Sequence, residues 1–143
     1  MIAFDTNILV YADREDLPNH RAAKEILSGS AAGLEPIGIP VVVMVEYIRV
    51  VTHPKLFTRP TTLADGLANV SSLVNHPSFE ILLPGPRFFS IFDELAKLGD
   101  ARGNLVFDAQ IAAICIENHV SELWTADRDF ARFPGIAAKN PFQ

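Results

Sequence analysis

The sequence lacks the features that mark disulfide-bonded, membrane-spanning or secreted proteins. Cys115 is the single cysteine among 143 residues, so no internal disulfide can form, and its surroundings at 113–116 are those of a small buried hydrophobe. No apolar run approaches the roughly 18 residues that cross a membrane. The N-terminus shows no basic region followed by a long apolar segment, as a secretion signal would. We therefore expect a cytoplasmic protein.

The motifs of several catalytic chemistries are also absent. The chain has no Gly-rich phosphate loop and no Gly-x-Ser-x-Gly elbow. Cys115 falls in the middle of an apolar helical stretch, which makes it a poor nucleophile candidate. The histidines have no paired spacing, which together with the lone cysteine argues against a zinc site. They are His20, His53, His76 and His119.

Charge alone would argue against a nucleic-acid partner. The net charge is −5 and the pI is near 5.3, whereas phosphate contacts favour a basic patch. That argument weakens if the acids are concentrated in one metal-binding pocket, because bound cations reverse the local field. The hydrophobic content of 49% supports a full core in one domain, residues 1–143, and some apolar surface for a partner.

Apolar runs bounded by turn residues predict strands that alternate with helices. Strands are predicted at 1–4, 37–39, 79–83 and 122–125, with a short edge strand in the tail after Phe133. Helices are predicted at 20–27, 41–53, 61–76, 86–99 and 105–118, and no element is assigned to 8–11. The alternation predicts an α/β fold with a parallel sheet covered on both sides.

Local signals set several helix boundaries and faces. The β-branched residues of 41–51 favour a strand, but Glu46, Arg49 and His53 share one helical face, which favours a helix ended by Pro54. Gly29 and Gly33 are expected to close the first helix, Thr61-Thr62 to cap the third and Asn104 to cap the last. The inner face of 86–99 is predicted to carry Phe89, Phe92, Leu95 and Ala96.

Acidic residues are predicted to converge at one edge of this sheet. Asp5 ends the first strand, and Asp127, with Asp129, follows the fourth. Glu46 and Asp108 lie in the first turns of helices, which begin at the edge where parallel strands end. The pattern therefore brings acids from four separate elements to the edge at which open parallel sheets bind ligands.

Each acid also has an ordinary structural interpretation. Asp5 could cap the turn after its strand, and Glu46 could pair with Arg49 on a solvated helix face. Asp127 and Asp129 could be turn residues. Asp108 fits such a role least, because apolar residues surround it in sequence and a lone carboxylate there would be unpaired. Independent structural acids need not share one sheet edge, which favours a common site.

Several carboxylates in one place repel each other unless cations lie between them. All-oxygen ligation selects hard ions such as Mg²⁺ or Mn²⁺. A pair of such ions can stabilise the attacking and leaving oxygens of phosphodiester cleavage. The acid set therefore indicates a metal-dependent hydrolase.

The ordered set of motifs resembles the PIN domain, and the stand-alone length resembles the VapC-type toxins of toxin–antitoxin modules. The resemblance covers essentially the whole chain. It rests on Asp5-Thr6-Asn7 after a strand, Glu46 in a helix, Asp108-Ala109-Gln110-Ile111-Ala112-Ala113, and Thr125-Ala126-Asp127-Arg128-Asp129-Phe130.

The resemblance implies a three-layer α/β/α sandwich with a mostly parallel sheet, and a metal-dependent endoribonuclease acting as a toxin. It implies that Mg²⁺ or Mn²⁺ is bound by Asp5, Glu46, Asp108 and Asp127, with Asp129 as a further acid to which we prefer Asp127. Thr6, Asn7 and Thr125 would orient carboxylates or waters. The implied partners are RNA, a second copy of the chain and a VapB-type antitoxin that blocks the acids with an arginine. Basic residues available for RNA phosphates are Arg14, Arg49, Arg102 and Arg128.

Three other functions compete with this interpretation. A haloacid-dehalogenase-like phosphatase also places an acid after strand one, but it needs a second acid where this chain has Asn7. A phospho-acceptor module needs an acid after a middle strand, whereas 79–83 is followed by Pro84-Gly85-Pro86, and a late lysine near the pocket, whereas Lys139 lies in the tail. A catalytically inactive binding protein would not need the full acid set.

Overall fold

The computed structural model describes residues 1–143 and contains five strands and six α-helices. The strands are β1 (Ile2–Phe4), β2 (Ile37–Pro40), β3 (Phe79–Leu82), β4 (Glu122–Trp124) and β5 (Ala137–Lys139). The helices are α1 (Thr6–Asp13), α2 (His20–Ala32), α3 (Val41–Val51), α4 (Leu63–Val74), α5 (Phe88–Leu98) and α6 (Leu105–Glu117). A 3₁₀ helix follows β4 at Arg128–Arg132.

All strands are parallel and lie in the order β3-β2-β1-β4-β5. In the centre, Ile2 of β1 is in register with Ile37 of β2 and with Glu122 of β4. Connections between parallel strands are right-handed, so helices α1–α4 cover one face, and α5 and α6 cover the other after the chain crosses back. The expected three-layer α/β/α fold is confirmed, and the sheet is entirely parallel.

The central strand and the last long helix form the middle of the core. Ala3 and Phe4 of β1 are fully buried, as is Leu123 of β4. Helix α6 is apolar around most of its surface because residues 111–115 are all buried. Burial raises the pKa of the Cys115 thiol to about 12, which agrees with the expectation of an inert core cysteine. None of the six helices has both the length and the apolar character needed to span a bilayer.

Helix α1 is the element that the sequence pattern did not predict. It begins directly after β1 because the Asp5 side chain accepts the Thr6 N–H at 2.7 Å and serves as its N-cap. Ile8, Leu9 and Val10 are all buried, so the sequence of this helix lacks the regular spacing of polar residues that indicates a helix with one exposed face. A short, buried apolar run looks the same in a strand and in a helix.

Three local expectations were wrong. Gly29 lies inside α2, which continues to Ala32 and ends at Gly33, since an isolated glycine costs a helix only about 1 kcal/mol. His53 lies beyond the end of α3, so it does not share the face of Glu46. The Asn104 side chain makes no capping hydrogen bond at the start of α6.

A fourth correction concerns the inner face of α5. Phe92, Leu95 and Ala96 pack against the core as expected, but Phe89 is 71% exposed. Phe88, four residues before Phe92, takes the inner position, and the two rings stack with centroids 5.9 Å apart. Phe89 is rotated by one residue, about 100°, away from that face.

Candidate active site

Asp5 lies where β1 leaves the sheet and is only 5% exposed. Its Oδ1 accepts the Thr6 N–H, so the capping role considered from the sequence is real. Its Oδ2 is left for other partners and accepts the Thr125 hydroxyl at 2.6 Å and the Asn7 side-chain amide at 2.8 Å. Capping and membership of a pocket are therefore compatible, because each uses a different oxygen.

Thr125 connects the acids at the ends of two neighbouring strands. Its hydroxyl donates to Asp5 and accepts the Asp127 backbone N–H at 2.9 Å and the Asn7 side-chain N–H at 3.1 Å. The Asn7 carbonyl oxygen accepts the Ala126 N–H at 3.0 Å. These bonds tie the turn after β4 to the turn after β1.

Glu46 lies in the second turn of α3 and faces the start of α1. Its Oε2 accepts the Thr6 hydroxyl at 2.7 Å. The Arg49 pairing considered from the sequence is also present, but the Arg49 Nη2 to Glu46 Oε1 distance is 3.4 Å and both side chains are partly exposed. The shorter contact is the one that holds Glu46 next to Asp5.

Asp108, Asp127 and Asp129 form a second group, here called the outer cluster. One carboxylate oxygen from each lies within 4.8 Å of the others. Asp127 also caps the 3₁₀ helix, since its Oδ1 accepts the Asp129 N–H at 2.8 Å. Asp127 and Asp129 both lie beside Asp108, so the preference for Asp127 over Asp129 stays a prediction.

The two groups of acids share one electrostatic environment. Burial raises the pKa of Asp5 to about 6, the charges of Glu46 and Asp127 add to the increase, and hydrogen bonds from Thr125 and Thr6 oppose it. Burial also raises the pKa of Asp108 to about 7, with further contributions from the other four acids. All five carboxylates therefore lie close enough to interact electrostatically, and together they are called the carboxylate pocket below.

This pocket has the chemistry of a divalent cation site. Of the five acids, only Glu46 forms an ion pair with a basic side chain. The donors are carboxylate oxygens, which suit hard divalent cations, and a cation among them would offset the repulsion that raises their pKa values. The residues present therefore fit a divalent metal.

The environment of Asp108 differs from the apolar surround expected from the sequence. Ala109 and Ile111 are buried, but Val106 and Phe107 are exposed, with Phe107 at 56%. The first turn of α6 therefore presents apolar side chains to solvent beside the acids. The sequence showed no sign of this exposure, because Val106 and Phe107 precede a run of core residues.

The arginines expected to contact RNA differ in their exposure to solvent. Arg14 donates to Asp16 and to the Arg59 carbonyl and lies over the Phe57 ring, with its side chain only 11% exposed. Arg49, Arg102 and Arg128 are exposed. Arg128 directly follows Asp127, and the Arg102 guanidinium contacts Asp100. Arg49, Arg102 and Arg128 are therefore accessible from solvent, whereas Arg14 is held by contacts within the chain.

The fold and the acids together define a parallel α/β domain with a carboxylate pocket at the carboxyl edge of its sheet. The profile of the PIN domain family matches residues 2–136, so the chain belongs to the PIN domain family. It is 40% identical to VapC ribonuclease Mb2897 of Mycobacterium bovis over 141 residues, 99% of this chain and 95% of the relative. It is 33% identical to ribonuclease VapC25 of Mycobacterium tuberculosis, with 99% of both chains covered.

Solved structures share the fold at lower identity. The Mycobacterium tuberculosis toxin VapC20, described as cleaving the sarcin-ricin loop, superposes with a TM-score of 0.68 at 12% identity over 92% of this chain and 93% of that one. VapBC2 of Rickettsia felis, solved with a promoter DNA fragment, gives a TM-score of 0.67 at 22% identity over 98% of both chains. The match to the PIN domain family and the identity to VapC ribonucleases do not favour the phosphatase or phospho-acceptor alternatives.

Proposed function

We propose that the protein is a metal-dependent endoribonuclease that hydrolyses RNA phosphodiester bonds as the toxin of a type II toxin–antitoxin pair. The observation that carries the proposal is the pocket of five carboxylates with a single, weak internal counter-ion. The 40% identity to a VapC ribonuclease over nearly the whole of both chains supports the same activity. Residues 1–143 would act as one nuclease domain.

We assign the metal-binding role to Asp5, Glu46, Asp108 and Asp127, and we add Asp129 because it lies in the outer cluster. Mg²⁺ or Mn²⁺ held there would stabilise the charge that develops on the attacking and leaving oxygens of the phosphodiester.

Thr6, Asn7 and Thr125 serve as positioning residues. The Thr6 hydroxyl holds one Glu46 oxygen, and Thr125 and Asn7 hold the Oδ2 of Asp5. Because these donors fix the orientation of the carboxylates before any ligand arrives, they keep the oxygens directed into the pocket.

Although the chain is acidic overall, arginine side chains near the pocket supply positive charge for RNA phosphates. Arg128 beside Asp127 and Arg49 beside Glu46 flank the pocket, and Arg102 precedes the helix that carries Asp108. These guanidinium groups can contact phosphates on either side of the cleaved bond, and a metal held by the carboxylates would offset the negative charge of the pocket towards a phosphate.

A VapB-type antitoxin and a second copy of the chain are the proposed protein partners, and the cytoplasm is the proposed site of action. Helix α4 supports a protein contact because Leu63, Leu67 and Val74 are exposed along it. An antitoxin arginine entering the carboxylate pocket would replace the missing counter-ions and exclude the metal.

The decisive test is cleavage of total cellular RNA by the purified protein with Mg²⁺ or Mn²⁺, compared with the same reaction in EDTA. We expect cleavage only with metal, and loss of cleavage in Asp5→Asn and in Asp108→Asn. Asp93→Asn is the matched control, because Asp93 is a half-exposed acid on α5 that pairs with Lys97 and is not among the charges that raise the pKa of Asp5 or Asp108.

Undiminished cleavage by both pocket variants would refute the assigned site. The toxin role has its own readout, which is growth arrest on expression that is relieved by the product of a neighbouring small gene. A phosphatase would instead hydrolyse a phosphate monoester under the same conditions.

A further inference from the structure

A hollow of about 390 Å³ opens beyond the carboxyl ends of β4 and β5 and is here called the β5 hollow. Thr125 and Asp127 line one side of it. The Thr125 hydroxyl donates to Asp5 and accepts the Asp127 N–H, and Asp127 also belongs to the outer cluster. A ligand in the β5 hollow therefore lies next to the acids that are assigned to the metal.

Lys139, at the end of β5, lines another side of the hollow. In the sequence this lysine lies in the tail, with no indication that it approaches the acids. The pairing of β5 with β4 puts Lys139 in register with Trp124, and the Lys139 carbonyl oxygen accepts the Thr125 N–H at 2.9 Å. The parallel sheet thus brings a late lysine to the edge at which the acids converge.

The residues that follow β5 are held in place by contacts within the chain. Oδ1 of Asn140 accepts the Phe142 N–H at 2.9 Å. The Phe142 ring packs edge-on against Tyr11 of α1, with the ring centroids 5.5 Å apart. The segment that borders the hollow is therefore anchored to β4 at one end and to α1 at the other, so the hollow is formed before any ligand enters.

Three side chains around the hollow offer hydrogen-bond donors without strong partners. The Arg128 guanidinium is exposed and forms no ion pair within the chain. Asn140 is bound through its oxygen only, which leaves its amide nitrogen free to donate. The Lys139 ammonium lies 3.9 Å from Oε1 of Glu122, beyond hydrogen-bond length, and the Trp124 indole N–H already donates to that oxygen. Two cations and an amide donor around one hollow favour an anionic ligand.

The location of the hollow favours a phosphate of an RNA chain over an acidic side chain of a protein partner. RNA carries one phosphate per nucleotide, so a phosphodiester at the metal-binding acids places a neighbouring phosphate one nucleotide away. Asp127 borders both the outer cluster and the hollow. A volume of about 390 Å³ holds one phosphate with its ribose but not the broad contact of a protein interface.

We propose that the β5 hollow binds the phosphate next to the cleaved phosphodiester through Arg128, Lys139 and Asn140. The inference rests on the proposed ribonuclease activity and deepens it by naming the residues that hold the RNA backbone beside the metal-binding acids. It adds Lys139 and Asn140 as substrate-positioning residues, and it gives Arg128 a defined neighbouring phosphate rather than a general attraction for RNA.

The first experiment measures binding of a fluorescent single-stranded RNA of about 12 nucleotides in EDTA, where no cleavage occurs. Lys139→Gln should lower the affinity at low salt by about 5-fold, the size of an exposed ion pair. The slope of log affinity against log salt should fall by about 0.7, as for one lost phosphate contact on a single strand. Lys139→Arg should restore both values because it keeps the charge.

Lys97→Gln is the matched control for Lys139→Gln. Lys97 is an exposed lysine that pairs with an acid, Asp93, but it does not line the β5 hollow. Its replacement should change neither the affinity nor the salt slope. Equal binding by Lys139→Gln and Lys97→Gln would overturn the proposal.

Asn140→Asp tests the amide donor without loosening the tail. Aspartate keeps the oxygen that accepts the Phe142 N–H, so the free energy of unfolding in urea should stay close to that of the wild type. It replaces the free donor with a negative charge, so RNA affinity should fall at least as far as in Lys139→Gln. Binding of RNA by Asn140→Asp with wild-type affinity would show that no phosphate faces this residue.

A third experiment identifies the phosphate that occupies the hollow. In an RNA whose cleaved bond has been mapped, single phosphates are replaced in turn by uncharged methylphosphonates. One replacement next to the cleaved bond should weaken binding to the wild type by about 5-fold and cost Lys139→Gln nothing further, because the contact is already absent. Equal losses in the two proteins at every position would refute the site.

The kinetics distinguish this inference from the proposed function. Lys139→Gln should raise KM by about 5-fold and leave kcat close to the wild-type value, because the contact lies outside the reacting group. If metal-dependent cleavage is present but Lys139→Gln has the KM of Lys97→Gln, the phosphate site is wrong and the nuclease proposal stands. If RNA binding depends on Lys139 but no metal supports cleavage of any RNA, the nuclease proposal fails and the phosphate site stands.

Discussion

The hydroxyl of Thr125 lies 2.6 Å from Oδ2 of Asp5 and joins the ends of β4 and β1. The same hydroxyl accepts the Asp127 N–H, so one small side chain holds one acid directly and the backbone of a second. A hydroxyl at this position stabilises the Asp5 carboxylate without neutralising it. The pocket therefore keeps the negative charge that a divalent cation requires.

Replacing Thr125 with valine tests this contact at nearly constant shape. Thr125→Val removes one of the two donors to Oδ2 of the buried Asp5 and leaves the Asp127 N–H without its acceptor, so we expect a loss of about 1–3 kcal/mol in the free energy of unfolding. We also expect cleavage to fall by about 10- to 100-fold, because the orientation of Asp5 is lost. Urea unfolding and initial cleavage rates measure the two effects.

Thr125→Ser is the control for this prediction, since it restores the hydroxyl and removes only a methyl group. Its cleavage rate should lie much closer to the wild type than that of Thr125→Val. Equal activity in the two variants would show that the hydroxyl does not position Asp5.

The stability of the metal-free protein should increase as the pH falls from 8 to 5. The folded-state pKa values of Asp5 and Asp108, about 6 and about 7, lie above the ordinary value of 3.8. The folded protein therefore binds these protons more tightly than the unfolded chain, and it loses stability as the pH rises through those values. The expected difference between pH 8 and pH 5 is on the order of 3 kcal/mol, measured by urea unfolding in EDTA.

Replacing Asp5 or Asp108 with uncharged asparagine should weaken the dependence of stability on pH. Asp5→Asn and Asp108→Asn each remove one titrating group, and Asp5→Asn should leave the metal-free fold intact or steadier at pH 8 because it relieves carboxylate repulsion. The range from pH 8 to 5 also avoids Asp16, whose pKa is lowered by its bond to Arg14. An unchanged pH profile in both variants would contradict the assigned cause.

Divalent cations should stabilise the folded protein, and this stabilisation should depend on the acids that bind them. At 100 times the dissociation constant, Mn²⁺ should add about 2.7 kcal/mol to the free energy of unfolding at neutral pH. The increase in thermal midpoint should disappear in Asp108→Asn and in Asp127→Asn and should persist in Asp93→Asn. Asp129→Asn resolves whether the third acid of the outer cluster contributes, since one of its carboxylate oxygens lies within 4.8 Å of those of the other two.

Asn7 should not be replaceable by the acid that a phosphatase has at this position. Its amide donates to Asp5 and its carbonyl oxygen accepts the Ala126 N–H, so Asn7→Asp removes the donor and adds a charge beside a buried carboxylate. We expect a loss of more than about 1 kcal/mol in stability and no gain of phosphate-monoester hydrolysis. Asn7→Ser provides a control that removes the amide without adding charge.

The sequence determined which elements carry the acids, because each acid follows a short apolar strand or lies in the first turns of a helix. Strand periodicity and strand–helix alternation are local properties, and they placed all five acids at one edge of a parallel sheet. The sequence did not reveal α1, because the buried run after Asp5 fits a strand as well as a helix. It also misplaced Phe89, since the rotation of a helix face is not encoded locally, and the choice between Asp127 and Asp129 stays a prediction.

Only the tertiary structure decided what the acids and their neighbours do together. It divided them between Asp5 and Glu46, held by hydroxyl and amide donors, and an outer cluster of Asp108, Asp127 and Asp129. It also turned Phe107 towards solvent, where the sequence suggested an apolar surround for Asp108. Burial and mutual charge depend on contacts between residues up to 120 positions apart, such as Asp5 and Thr125, and those contacts exist only once the sheet has formed.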